Sequence, residues 1–157
     1  MSGQISAEQR LRAFDVELPP PPTPFGAYVE TTAIGNLLFL SGMLPVIGRE
    51  PQYLGRVGDE LSAEDGQKAA AVACLNALSA ARAHLGSLDR ITGVAKLGVY
   101  IATEGDFRDH PIVADGASEL LVKVFGMEML SGRIVLGVAS LPLGLPVEIE
   151  LVFEFAA

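Results

Sequence analysis

The stretch SGRIVLGVASLPLGLPVEIELVFEF, Ser131–Phe155, decides the fold. In its second half Val147, Ile149, Leu151, Phe153 and Phe155 alternate with Glu148, Glu150, Val152 and Glu154, the period of two that marks a strand with one buried face. Its first half is a second strand-like run, joined to the other by a turn rich in Pro and Gly. Arg133 heads that run, and no other charge follows until Glu148. Arg133, Val135, Gly137 and Ala139 share one side of this strand, while Ile134, Leu136 and Val138 share the other. The second set is the more apolar, so it is expected beneath helices, with Arg133 on the opposite, open face of the sheet.

Upstream, LSAEDGQKAAAVACLNALSAARAHLG carries a strong helix signal. Ser62 and Asp65 match a capping box, Val72, Leu75, Leu78 and Leu85 keep to one face, and Gly86 suits the residue after the helix. His84, in the last turn, reads as a partner of the helix dipole. A second helix is read in HPIVADGASELLVKVFG, where Leu120, Leu121, Val124 and Phe125 repeat at helical spacing and Gly126 ends the run. Between the two helices, SLDRITGVAKLGVYIAT becomes a strand by Val94. AYVETT and NLLFLSG form a hairpin around Gly35 and Asn36, followed by a loop or loosely paired edge from Ile47 to Gly58.

At the front, Ser6 caps a short helix carrying Leu11 and Phe14. The run PPPPTP, Pro19–Pro24, must end it as an extended connector. Residues 1 to 24 are therefore expected to be an arm with a proline-rich connector, residues 1 to 18 lying outside the main fold, and 25 to 157 a single domain. Two helices over one side of a mixed sheet make an α+β fold whose other face must meet something else. Symmetric association of subunits would close that face.

Composition excludes several classes of function. The 157 residues are 50% hydrophobic, enough for one real core, and the net charge of −8 opposes a surface that tracks phosphates, so no nucleic acid is expected. A single cysteine, Cys74, in an apolar run rules out an intrachain disulfide framework and reads as a small buried side chain in a reducing compartment. The first residues carry charges without a signal-like apolar core, and no run is long enough for a membrane span, so a cytoplasmic protein is expected, with no membrane partner. Histidines only at 84 and 110 leave no zinc spacing, and no glycine motif opens a helix, so no metal and no nucleotide cofactor are expected. A triad of Ser41 or Ser140 with His110 carries almost no signal, and His110 reads as a solvent-facing loop residue.

Arg133 stands apart because its guanidinium keeps its charge and matches a carboxylate in two hydrogen bonds. Set among apolar neighbours, it needs an anion. One reading is a cross-strand ion pair with Glu148 or Glu150. The other is that Arg133 receives a ligand carboxylate while Glu148 handles protons or a water, with Tyr28, the lone tyrosine of its strand, available to hydrogen-bond or stack.

GAYVETTAIGNLLFLSGMLPV and GRIVLGVASLPLGLPVEIELVFEF resemble the front and the signature end of the Rid family, also called YjgF/YER057c/UK114. LNALSAARAHLGSLDRITGVAKLGVYIATEGDFRDHPIVADGASELLVKVFG resembles a longer, chorismate-mutase-like branch of it, some of whose members are described as endoribonucleases. The resemblance implies a chorismate-mutase-like fold, a homotrimer with clefts between subunits, and cofactor-free hydrolysis of reactive enamines and imines to 2-oxo acids and ammonia. It further implies that Arg133 grips a small carboxylate-bearing metabolite and Glu148 orients the attacking water, while Tyr28, Ser41 and groups near Val135 line the pocket. Two departures stand out: Val135 replaces a usual Cys, and Asp115 falls where an Asn is expected. Met127, Met129 and Leu130 also replace the usual approach to the cleft. Lys96 and Arg108 remain as further cations.

Overall fold

The computed structural model describes residues 3–157. Its centre is a mixed five-stranded sheet in the order β1-β2-β7-β5-β6, formed by β1 (Thr31–Ile34), β2 (Leu37–Leu40), β5 (Ile91–Ala102), β6 (Arg133–Val138) and β7 (Val147–Phe155). β7 runs antiparallel to both of its neighbours, and β5 and β6 are parallel. A separate small ladder pairs β3 (Val46–Ile47) with β4 (Glu50–Pro51). The alternation of β7 is realised: Val147, Ile149, Leu151 and Phe153 are buried in the core, while the glutamates point to the other face.

Helices α2 (Ala63–Leu85) and α3 (His110–Phe125) cover the core face. Ser62 and Asp65 form the capping box on α2, and Gly86 takes the left-handed conformation beyond its end. The buried side of α2 differs from the leucine stripe read in the sequence. Ala69, Ala70, Ala73, Ala77 and Ala81 are fully buried with Leu78, whereas Val72 and Leu75 are only half-buried. The reason is the closeness of α3. A Cβ at Gly116 would overlap the carbonyl of Gln67, so this contact admits only small residues.

β5 starts at Ile91, earlier than the sequence implied, with register shifts before Gly93 and Lys96. The hairpin turns at Gly35 and Asn36 as read, but β1 begins only at Thr31, leaving Tyr28 outside the strand.

Two expectations are corrected. Arg133 lies beside Leu97 in the β5–β6 register, and Leu97, Val99 and Ile101 are core residues, so Arg133, Val135 and Gly137 face the helices. Ile134 and Leu136 lie on the open face, each 45% exposed. The apolar look of those two residues misassigned the faces, because hydrophobicity does not tell a helix-covered face from an apolar one left open in the single chain.

The N-terminal helix, α1 (Ala7–Ala13), also does not stand outside the fold. Leu11 is 4% exposed and joins the core with Ala7. Glu8 pairs with Arg82 of α2 at 3.2 Å and accepts the Leu88 N–H at 3.0 Å. The Ser79 hydroxyl donates to the Pro19 carbonyl at 2.6 Å, so the connector crosses α2 rather than looping free. Leu11→Ala should cost about 2–3 kcal/mol in denaturant melts, the lower part of the range for emptied core leucines. A loss below about 0.5 kcal/mol, the level of an ordinary surface change, would show that the arm contributes nothing to stability.

Candidate functional site

The candidate residues fall into two groups on opposite faces of the sheet. On the open face, Glu148 projects from β7 beside Tyr100 of β5. It borders a cavity of about 500 Å³ lined by Phe25, Tyr28, Ser41, Gly42, Leu44, Pro142, Leu143 and Glu148. Tyr28 and Ser41 therefore meet Glu148, the grouping that the family resemblance implied.

Local hydrogen bonds orient this half. The Tyr28 hydroxyl oxygen accepts the Phe25 N–H at 2.9 Å, which leaves the phenolic proton available to a ligand. The Ser41 hydroxyl donates to the Val29 carbonyl at 2.6 Å, leaving its lone pairs free to accept. Buried Asn76 of α2 donates to the carbonyls of Leu44 and Val46 at 2.9 and 2.7 Å, holding the loop that carries Leu44. The Glu148 carboxylate lies against the backbone of Gly42, where a Cβ would overlap it.

Two neighbouring glutamates on β7 are treated differently. Glu150 takes an ion pair from Lys96 at 3.0 Å and a hydrogen bond from Tyr100 at 2.6 Å. The Tyr100 and Lys96 hydrogen bonds hold its carboxyl below the ordinary range, although burial opposes them. Glu148 forms no ion pair among the described residues. Burial first, and then the charge of Glu150, push its carboxyl above the ordinary value. Glu30, which borders an adjoining crevice, is likewise raised by burial.

The second group lies under α3. Arg133 Nη1 donates to Asp115 Oδ1 at 2.8 Å and to Ser118 Oγ at 3.1 Å. The anion on Arg133 within the chain is thus Asp115, not Glu148 or Glu150. Ser118 was missed in the sequence, although it stands one helical turn after Asp115 and shares its face. Val135 lies two residues beyond Arg133 on the same side and packs against the core. Farther along, His110 is half-buried at the start of α3, edge-on to Phe107 and close to Gly137, rather than a solvent-facing loop residue. Ser41 is on the other face from His110, and among the described residues no hydrogen bond joins His110 to Ser140, so neither serine forms the triad. Lys96 is engaged by Glu150, and Arg108 pairs with Asp106 on the surface. Met127 and Leu130 are well exposed before β6, while Met129 packs partly on the core.

Phe25, Leu143, Pro142 and Leu44 were not singled out in the sequence. They come from three separate segments, and no local pattern marks residues that meet only through the sheet. Cys74 is fully buried with its thiol pushed up to about 12, which fits an inert core residue. No helix among the described residues is long and apolar enough to cross a membrane. Nor do the described residues group three metal-ligating side chains.

Comparisons with known proteins agree with this architecture. The protein TCP17 of Trypanosoma cruzi is 36% identical over 154 residues, covering 98% of this chain and 95% of that protein. The crystal structure of Atu1372 from Agrobacterium tumefaciens, of unknown function, superposes with a TM-score of 0.87 at 34% identity, covering 96% of this chain and 92% of that one. RidA from a Psychrobacter species shares the fold at a TM-score of 0.61 and 24% identity, covering 86% of this chain and 94% of that one. The family described as "YjgF/chorismate mutase-like, putative endoribonuclease" matches residues 8–157. With that match spanning nearly the whole chain, and a fold common to RidA, the protein belongs to the YjgF/Rid family of chorismate-mutase-like α+β proteins.

Proposed function

We propose that the protein is a cofactor-free hydrolase that deaminates a small carboxylated imine or enamine to a 2-oxo acid and ammonia. In this reading it acts in clefts between the subunits of a cytoplasmic homotrimer and removes reactive metabolites. The observation that carries the proposal is Glu148, a raised carboxyl without an ion-pair partner among the described residues, at a cavity shared with Tyr28 and Ser41. A carboxyl held above its ordinary value is a better proton acceptor than a surface glutamate.

The two faces of the sheet make assembly part of the mechanism. Arg133 and Glu148 point to opposite sides of one chain, so a small substrate touched by both lies between two copies. The exposed Ile34, Phe39, Ile134 and Leu136 on the open face support such an assembly. Asp115 and Ser118 occupy only Nη1 of Arg133, which leaves Nε and Nη2 to receive a carboxylate. Val135 and Asp115 would flank that end of the cleft.

The chemistry asks for little beyond positioning. An iminium carbon is already electrophilic, so water adds as Glu148 takes its proton, giving a carbinolamine. Glu148 then returns that proton to nitrogen and takes the hydroxyl proton as the C–N bond breaks, so ammonia leaves as the oxo group forms. The endoribonuclease alternative lacks an electrostatic basis. The chain carries a net charge of −8, and among the described residues the one charged group lining the cavity is an acid.

Generating 2-iminobutyrate or 2-iminopropionate in situ and trapping the remainder with semicarbazide tests this directly. Wild type should accelerate imine loss, and Arg133→Ala or Glu148→Gln should lower kcat/KM by about 100-fold or more, the usual scale of a positioned acid or base. Arg133→Lys should lose most of the ligand affinity, because an ammonium cannot reproduce the planar fork. No acceleration by a protein whose size matches a trimer would remove the small-imine reading and leave a binding role for the same cleft.

Glu148 also predicts opposing effects on stability and activity. Its folded pKa lies above the unfolded value, so its contribution to stability is fully present below about 4.5 and is lost as pH rises through the folded pKa. Glu148→Gln should therefore melt above wild type at pH 7, with the gap closing as pH falls toward 4.5, while its activity is lost. In wild type, the acidic limb of the kcat/KM profile should lie above 4.5. A melting temperature for Glu148→Gln equal to wild type across this range would show that the carboxyl is solvated in the assembled protein.

A further inference from the structure

The cavity beside Glu148 has apolar walls that the hydrolysis itself does not require. Two of them, Phe25 and Leu143, are held by structural features that the core does not explain.

Leu143 sits in the turn between β6 and β7 with φ 63° and ψ 15°, the left-handed region where Cβ crowds the backbone. Gly144 beside it has φ 71°, and the turn is closed by Leu145 N–H donating to the Pro142 carbonyl at 3.2 Å. Glycine at 143 would meet the same turn without strain. The leucine also buries little, being 52% exposed and outside both core clusters. What position 143 gains from leucine is an isobutyl group at the cavity.

Phe25 closes the proline connector and is held from three directions. The Arg49 guanidinium stacks 4.7 Å from the centre of its ring, Arg49 Nη2 donates to the Pro24 carbonyl at 2.9 Å, and the Phe25 N–H donates to Tyr28. The ring is thereby fixed at the cavity although it is not part of the core.

The charges point the same way. Within the chain Arg133 is matched one-to-one by Asp115, and the cavity's own charged group, Glu148, is an acid. A ligand carboxylate therefore meets the free side of the Arg133 fork without an excess of positive charge, and contact with the apolar walls adds to what that fork supplies. A methyl substituent offers those walls little surface to cover, whereas a branched aliphatic one brings several more carbons to bury against them.

We propose that Phe25 and Leu143 form a side-chain pocket that selects ligands bearing a branched aliphatic substituent of about leucine size on the carbon next to the carboxylate. This rests on the reading of the Glu148 cavity as the reaction site. The preferred substrate is then the imine derived from leucine, and the imine from alanine is a poor one.

Turnover and binding are measured on the assembled wild-type protein, Leu143→Gly and Phe25→Ala, each checked for size and melting temperature. Leucine and alanine are converted to their imines by an amino-acid oxidase in the semicarbazide assay, and 4-methyl-2-oxopentanoate and pyruvate are titrated calorimetrically. Wild type should prefer the leucine-derived imine by about tenfold or more in kcat/KM, the scale expected for a few added carbons in an apolar pocket. Kd should follow the same order. Leu143→Gly, whose backbone suits the turn, should bring the ratio to within about twofold, a level below the worth of one buried methylene. Equal or reversed preference in wild type, or an undiminished ratio in both variants, would overturn the pocket while leaving the hydrolase reading intact. Absence of turnover, together with tighter binding of 4-methyl-2-oxopentanoate that Leu143→Gly abolishes, would uphold the pocket and remove the hydrolase. Neither binding nor turnover would overturn both.

Discussion

The two-residue period of β7 is the constraint on which the rest of the molecule depends. β7 sits between β2 and β5, and its inward side chains are essentially without solvent exposure. A slip of one residue against β5 would drive Glu148, Glu150 and Glu154 into the core and expel Val147, Ile149, Leu151 and Phe153, so register and face are fixed together. Because β5 transmits that register to β6, the same alternation also decides where Arg133 points, although Arg133 and β7 never pair directly. The core thereby positions two chemically useful groups while keeping them on opposite sides of one chain.

Those same glutamates show how a sheet can treat two identical side chains differently. Glu150 lies between Tyr100 and Lys96, and its charge is stabilised where it sits. Glu148, two residues earlier, has the Gly42 backbone on one side and apolar walls around it, with its nearest charged influence another acid. A stabilised carboxylate braces the open face, while a destabilised one keeps chemical potential that a water or a ligand can use. The energetic cost of the second is offset by the core on the opposite face of the same strand, a division of labour expected where stability and reactivity share one strand.

Much of this was legible in the residues. The β7 alternation, the Ser62–Asp65 cap, Gly86 after α2 and the Gly35–Asn36 turn are local signals, and the structure realises each of them. The association of Tyr28, Ser41 and Glu148 was also readable, through the family resemblance rather than through spacing. The failures have physical causes. Ile134 and Leu136 imitate a helix-covered face because hydrophobicity does not reveal what will do the covering. The α2 stripe was misread because closeness to α3 selects alanine and glycine over leucine, and a scale of hydrophobicity ranks them in reverse. The docking of α1 depends on Glu8 meeting Arg82 and Leu88 across more than seventy residues, and no window of sequence holds both ends. Leu143 was hidden for a related reason. A left-handed leucine looks like any other leucine until the turn around it is seen.

Position 143 brings stability and specificity into the same account. Left-handed backbone at a branched residue costs on the order of 1 kcal/mol or more, and glycine would remove that cost. For a domain whose whole stability is about 5–15 kcal/mol, that is a visible fraction. Such strain persists where the surrounding structure over-determines the conformation, and here the neighbouring Gly144 and the Pro142–Leu145 hydrogen bond do so. The strained turn also precedes Glu148 by only a few residues, and the β6 strand leading into it begins with Arg133. One segment of the chain, from Arg133 to Glu148, therefore carries the cation, the apolar wall and the carboxyl in succession. Their spacing along the chain is set by the turn, and their division between faces by the alternation of the strands. The ladder with β5 holds the carboxyl while the turn alone holds the wall, so a change at 143 alters the room for a substituent without displacing Glu148.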